Sequence, residues 1–160
     1  MAKTGQNQKI STLYPPQGRK ETRIDTKGRF RLPVEFATYF KTLAQSKGDN
    51  TKTRLFVTSI DRKRIYVYLL QTWIDVAKKL AKNSKDGLSP EVFNAQDLGE
   101  TKEMDYQGRV LVGAILRREM NLTDETEAHL LWYDDHLLML TDVQYQEYRT
   151  RMLGSQKAQP

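Results

Sequence analysis

One pattern occurs twice in this chain, and it constrains the fold more tightly than anything else in the sequence. Ile24-Asp25-Thr26-Lys27-Gly28-Arg29-Phe30-Arg31-Leu32 aligns with Met104-Asp105-Tyr106-Gln107-Gly108-Arg109-Val110-Leu111-Val112 at an offset of 80 residues (Asp25 to Asp105). Both stretches read apolar, Asp, two variable residues, Gly, Arg, and then apolar residues alternating with another residue. A recurring supersecondary unit implies two structurally equivalent halves.

The likeness continues beyond the motif. A helical stretch follows each copy: Val34 to Ala44 with Phe36, Phe40 and Leu43 on one face, and Ala114 to Leu122 with Ile115, Leu116 and Met120. Pro33 suits the start of the first helix, and Gly48 the loop after it. A hairpin comes next, Arg54 to Ser59 with Ile65 to Leu70 around Asp61-Arg62-Lys63-Arg64, and Glu127 to Tyr133 with His136 to Leu140 around Asp134-Asp135. Each copy closes with a helix, Thr72 to Lys82 and Val143 to Met152, and Thr141 with Gln144 has capping-box spacing. The second copy is shorter, since Ile65 and Leu137 align at an offset of 72. The expected organisation is a flexible basic extension over 1–18, a first repeat over 19–85, a linker over 86–102, a second repeat over 103–152 and a tail over 153–160. Ser89-Pro90 can open a short helix within the linker. The expected fold class is mixed α/β, mainly β.

Asp-x-x-Gly in a strand-rich setting is a turn: Asp accepts backbone N–H bonds and Gly takes positive φ. Asp25, Gly28, Asp105 and Gly108 are therefore the turn residues. The Arg that follows, Arg29 or Arg109, begins the second strand of a hairpin. It either pairs with its own Asp or projects as a five-donor fork toward a phosphate or a guanine edge.

Charge bears on that choice. The chain of 160 residues has 26 Lys+Arg, 20 Asp+Glu and a net charge of +6. Met1 to Lys85 carries 19 basic and 6 acidic residues, a net of +13, whereas Asp86 to Pro160 carries 7 and 14, a net of −7. Arg19, Lys20, Arg23, Lys27, Arg29 and Arg31 crowd one short stretch, opposed by Glu21 and Asp25. Such a cluster binds DNA through counterion release. The second copy has a smaller basic group, Arg109, Arg117 and Arg118. A basic half and an acidic half also suit head-to-tail self-association.

At IDTKGRFRLPVEF and MDYQGRVLVGAILRREMNL the sequence resembles the MraZ family, bacterial transcriptional regulators of the division and cell-wall gene cluster. The second stretch is also similar to the DNA-binding domain of AbrB-type regulators. The resemblance covers roughly Glu21 to Arg149, and its strongest element is the duplicated Asp-x-x-x-Arg. It implies tandem swapped-hairpin AbrB-like half-domains that form one pseudo-twofold barrel with flanking helices. It further implies a ring-shaped homo-oligomer that binds short direct repeats in double-stranded promoter DNA, its own included, and represses from the nucleoid. Arg29 and Arg109 would carry the DNA contact, supported by Lys27, Arg31, Arg23, Arg117 and Arg118. The sequence departs from the family at Gly113, where Pro is usual, and at Ala37, which answers to Arg117. The basic N-terminal extension lies outside the family core. The competing expectation is a ring-forming interaction or antitoxin-like module whose basic surface is incidental.

Other chemistry is weakly represented. Absence of cysteine excludes disulfides and thiolate sites. His129 and His136 with Asp134 and Asp135 make a poor metal site, and His129 is expected to be a half-buried strand residue. The 9 glycines are scattered, and no Ser/His/Asp grouping has motif context, so no enzyme activity, cofactor, metal or small-molecule substrate is expected. Trp73, Tyr66, Tyr68, Trp132 and Tyr133 are expected to pack in the core or between subunits. Met1 to Ile10 lacks a signal-peptide profile and no apolar run spans a membrane, so a cytoplasmic protein is expected.

Overall fold

The structure is a computed structural model that describes residues 13–157. The extension expected over 1–18 and the tail over 153–160 lie partly outside the described residues. Among the described residues, eight strands and five helices follow in the order β1 (Lys20–Ile24), β2 (Arg29–Arg31), α1 (Val34–Ser46), β3 (Thr53–Thr58), β4 (Ile65–Leu69), α2 (Leu70–Lys82), α3 (Pro90–Leu98), β5 (Glu100–Met104), β6 (Arg109–Leu111), α4 (Ala114–Glu119), β7 (Thr126–Tyr133), β8 (His136–Thr141) and α5 (Asp142–Lys157). The fold is mixed α/β: strands build the core and helices flank it.

The strands form a six-stranded antiparallel sheet in the order β1-β7-β8-β4-β3-β5 and a two-stranded ribbon, β2-β6. The halves are exchanged across this arrangement. β1 of the first repeat pairs with β7 of the second, Lys20 facing Leu130, while β5 pairs with β3, Glu100 facing Val57. These pairings are images of each other, with β1 and β5 offset by 80 (Lys20 to Glu100) and β3 and β7 by 73 (Val57 to Leu130). A pseudo-twofold axis therefore crosses the sheet where Tyr66 faces Leu138 and the ribbon where Phe30 faces Val110. The offset falls from 80 to 73 between β5 and β7, so most of the shortening lies in the helix and loop between them.

The sequence reading made a hairpin of the two strands that flank each motif. The structure corrects this: the turn is closed by Asp25 N–H to the Arg29 carbonyl and Gly28 N–H to the Asp25 carbonyl, both at 2.9 Å, but beyond it β1 and β2 share no ladder, the Thr22 hydroxyl donating to the Arg31 carbonyl at 2.6 Å. β1 is captured by β7 and β2 by β6, because each satisfies its backbone groups on the other half.

One core unites both repeats. Ile24, Phe30, Leu32, Phe36, Phe40, Leu55, Val67, Val110, Leu116, Leu130 and Met139 all belong to it and are buried. In α1 the residues Phe36, Phe40 and Ala44 recur at four-residue spacing and form the buried stripe. Pro33 precedes that helix with extended backbone, and its carbonyl accepts from the N–H of Phe36 and of Ala37. β4 alternates between two apolar environments. Ile65, Val67 and Leu69 face the shared core, while Tyr66 and Tyr68 meet Trp73 of α2 and Phe56 on the outer face. That burial on both sides accounts for its unbroken apolar run.

Several boundaries differ from the sequence reading. The stretch 86–102 holds α3 and the first residues of β5. Ser89 caps α3 by accepting the Val92 N–H at 3.2 Å, with Pro90 in the first turn. α5 continues past Met152 to Lys157, because neither Gly154 nor the polar residues beside it stop a helix already started by the Thr141–Gln144 capping box. Ile115 is 48% exposed, since α4 is too short to bury more than the Leu116 face. Tyr133 is 67% exposed, being at the hairpin tip. Trp73, Tyr66 and Tyr68 are buried, and Trp132 packs edge-on against Tyr39 at 5.0 Å. His129 is not half-buried but 5% exposed: Asp142 and Arg19 bond its two ring nitrogens at 2.7 and 2.9 Å and Tyr145 stacks on it. Among the described residues no helix is long and apolar enough to cross a membrane, and no metal-holding group of three or more His, Asp or Glu occurs.

Candidate nucleic-acid interface

Both motif turns are built alike. Asp25 Oδ1 accepts the N–H of Lys27 and of Arg29 at 2.9 Å, and its Oδ2 accepts Arg29 Nε at 2.8 Å. Asp105 does the same for Gln107, Arg109 and the Arg109 Nε, at 2.9, 2.8 and 2.7 Å. Gly28 and Gly108 close the turns with φ of 88° and 79°. The N–H of Arg29, with its guanidinium and the Lys27 N–H behind it, holds the Asp25 carboxyl below its ordinary pKa. At Asp105 partial desolvation pushes upward, and the N–H and guanidinium of Arg109 outweigh it.

The sequence left open whether each Arg pairs with its Asp or projects outward. It does both. The carboxylate takes the Nε edge only, and the Nη groups of Arg29 and Arg109 have no bonded partner among the described residues. The two side chains are 58% and 51% exposed.

A third clamp in the same chain serves as an internal control. At the β3–β4 turn Asp61 Oδ1 accepts the N–H of Lys63 and Arg64 at 2.9 Å, and Oδ2 accepts Arg64 Nε at 2.8 Å. There the remaining fork is used internally: Arg64 Nη2 donates to Tyr66 Oη at 2.8 Å. Burial, then the nearby Asp61 charge, pushes the Tyr66 phenol up to about 12, so it stays protonated. The Asp61–Arg64 clamp was not foreseen, although Asp-x-x-Arg beside a Tyr is a readable signal. Structural use takes Nε and Nη2 of Arg64, whereas the two motif clamps take Nε alone and leave both Nη groups available.

The ribbon brings the candidates together. Phe30 and Val110 face inward, so Arg29, Arg31, Arg109 and Leu111 face outward, with Arg31 directly opposite Arg109. Like charges facing across a ribbon work against stability. Here Asp105 and the Gln107 carbonyl, which accepts Arg31 Nε at 2.9 Å, hold them apart. Arg23, Arg29, Arg31 and Arg109 line one shallow cleft of about 320 Å³.

The remaining candidates divide. Lys27 is exposed on the first turn, and Arg118 is exposed on α4. Arg23 is tied to Glu125 and Glu127 of the other half at 3.4 and 3.1 Å, which offsets its charge. Arg117 lies against the first turn and donates to the carbonyls of Val112 and Thr26 at 3.2 and 3.3 Å. Acidic residues of the second half also meet Arg62, through Asp97 and Glu119. Part of the charge asymmetry is thus settled inside the chain, because strand exchange interleaves the halves.

The chain is 34% identical over 111 residues to a transcriptional regulator MraZ from Acidobacterium capsulatum, covering 68% of this chain and 71% of the relative. The chain belongs to the MraZ family. An MraZ protein of Nitrosomonas europaea is 32% identical over 126 residues, covering 72% of this chain and 79% of the relative. One from Koribacter versatilis is 30% identical over 113 residues, covering 68% and 71%. The chain matches no protein-family model. The MraZ resemblance drawn from the duplicated motif therefore holds across most of the described fold, while the roles of the clamped arginines rest on their geometry.

Proposed function

We propose that this chain is a sequence-specific DNA-binding transcriptional regulator whose β2–β6 ribbon enters the major groove, with Arg29 and Arg109 contacting base edges. The groove admits a two-stranded ribbon, and the outward fork of Arg matches guanine O6 and N7. The observation that carries the reading is the contrast between clamps: Arg64 turns its Nη2 inward to Tyr66, whereas Arg29 and Arg109 keep both Nη groups free on one basic face. Lys27, Arg31 and Arg118 supply positive potential around them, Arg117 adds its charge from against the first turn and Arg23 contributes less because Glu125 and Glu127 pair with it, and the relatives are named transcriptional regulators. Family membership extends the reading to repression of the division and cell-wall genes, its own among them, through short direct repeats.

A ring-shaped homo-oligomer is part of the same proposal. In its favour, α5 exposes Val143, Tyr148, Met152 and Leu153, and a groove of about 520 Å³ opens between that helix and β7–β8. Sedimentation across a salt series tests it; a mass that stays at one chain overturns it.

Binding to duplex DNA from upstream of its own gene tests the main reading. Arg29→Ala and Arg109→Ala are each expected to weaken binding by about 1–3 kcal/mol while the fold is kept. Unchanged affinity in folded variants, with a protein partner recovered instead, favours the interaction-module reading.

A further inference from the structure

The pseudo-twofold axis makes the two motif turns comparable position by position, and they are not chemically alike. Thr26 and Lys27 on the first answer to Tyr106 and Gln107 on the second, and Arg31 answers to Leu111. Arg29 and Arg109 are common to both.

Tyr106 is 91% exposed. Its turn is held by the same Asp clamp as the first, so the ring is presented from a rigid base. Its sole bonded side-chain neighbour among the described residues is Gln107, whose Nε2 lies 3.3 Å from its hydroxyl. The surroundings differ too. At the first turn Arg117 packs on Gly28, its Cδ and Nε lying 2.7 Å from where a β-carbon would be. At the second turn the equivalent residue is Ala37, and Gly108 has only its β-carbon and the Leu32 carbonyl near, both at 3.4 Å. The space left by that smaller residue opens into a cleft of about 840 Å³ beside Tyr106 and Gln107, with Arg31, Lys41 and Lys52 on its walls.

Resting on the DNA-binding reading, we propose that the Tyr106–Gln107 turn is the base-discriminating end of the interface and the Thr26–Lys27 turn its phosphate-gripping end. Gln presents the paired donor and acceptor that match adenine N7 and N6, and an exposed Tyr ring supplies apolar contact to a thymine methyl. Lys27 offers a compact charge that reads no sequence. The ribbon between the turns is unlike at its two ends as well, with Leu111 beside Arg29 near the first turn and Arg31 opposite Arg109 near the second. A single chain with such unlike ends engages a site without twofold symmetry, in one orientation.

The test is selection from a pool of randomised duplexes with the full chain, comparing the wild type, Tyr106→Thr/Gln107→Lys, and the reciprocal Thr26→Tyr/Lys27→Gln. Each double variant installs residues that the same turn already carries in the other half, and a thermal melt confirms folding. The wild type is expected to enrich a non-palindromic motif. The second-turn variant is expected to lose about tenfold discrimination at one end of it, and its log-affinity against log-salt slope steepens by about one for the added lysine. The first-turn variant is expected to keep that end and lower the slope. An unchanged motif in the second-turn variant, a palindromic wild-type motif, or loss of preference through the first-turn variant overturns the proposal while DNA binding stands. Absence of any enriched motif in the wild type overturns the DNA-binding reading itself.

Discussion

The carbonyl oxygen of Val112 lies 2.5 Å from the position a β-carbon on residue 28 would occupy. The approach is part of a reciprocal exchange, in which the Val112 N–H donates to the Gly28 carbonyl and the Leu32 N–H to the Gly108 carbonyl, both at 2.8 Å. Each motif turn is thereby bonded to the strand end of the other repeat. The turns that present Arg29 and Arg109 also fasten the two halves together.

Gly28→Ala and Gly108→Ala should therefore differ. Both place a side chain at positive φ, which costs about 1 kcal/mol. Only residue 28 also drives a β-carbon into backbone, since the nearest atoms at 108 are at 3.4 Å. Urea unfolding should show Gly28→Ala less stable than Gly108→Ala by at least about 1 kcal/mol. Equal losses would contradict the geometry.

Asp25→Asn and Asp105→Asn separate positioning from charge. Either change removes a negative charge from the basic face, and charge alone would tighten DNA binding. Loss of the Oδ2 bond to Arg Nε, at 2.8 and 2.7 Å, frees the guanidinium instead. Affinity for upstream duplex should fall roughly threefold to tenfold, a fraction of what a guanine contact is worth. Tighter binding in a fluorescence-anisotropy titration would mean that the clamps do not orient the arginines.

Acid stability follows from the same carboxylates. Asp25, Asp61, Asp105 and Asp142 all have folded pKa values below the ordinary 3.8, Asp142 chiefly through its bond from His129. A depressed carboxylate contributes stability that is fully present above its unfolded pKa and lost as pH falls through the folded one. The melting temperature should be insensitive to these four groups down to about pH 5 and fall below about pH 4. Asp61→Asn should flatten that acid limb. A decline of wild-type stability centred near pH 6 would point to other groups.

Much of this arrangement was legible in the residues. The Asp-x-x-Gly-Arg duplication located both turns, and the shared helix and hairpin after each located the halves. The partner of each strand was not legible. Lys20–Ile24 and Arg29–Arg31 look like two arms of one hairpin, since local sequence carries turn chemistry but not the register of a strand a hundred residues away. The exchange of β1 and β5 is decided by core burial summed over both repeats. The packing of Arg117 was not legible for a related reason: the space over Gly28 exists only after the halves are joined, and there Arg117 donates to the carbonyls of Val112 and Thr26.

Arg117 and Arg118 are adjacent in sequence and should behave differently in solution. Arg117 is half-buried and bonds the carbonyls of Val112 and Thr26, so Arg117→Ala removes a link between repeats and should lower stability by about 1–2 kcal/mol. Arg118 is exposed on α4. Arg118→Ala should leave stability within about 0.5 kcal/mol of the wild type. If Arg118 faces the phosphates, its loss should weaken binding to every duplex alike and reduce the salt slope by about one. Urea unfolding paired with a salt-dependent binding series checks both. A stable Arg117→Ala variant with a reduced salt slope would reassign Arg117 from brace to phosphate contact.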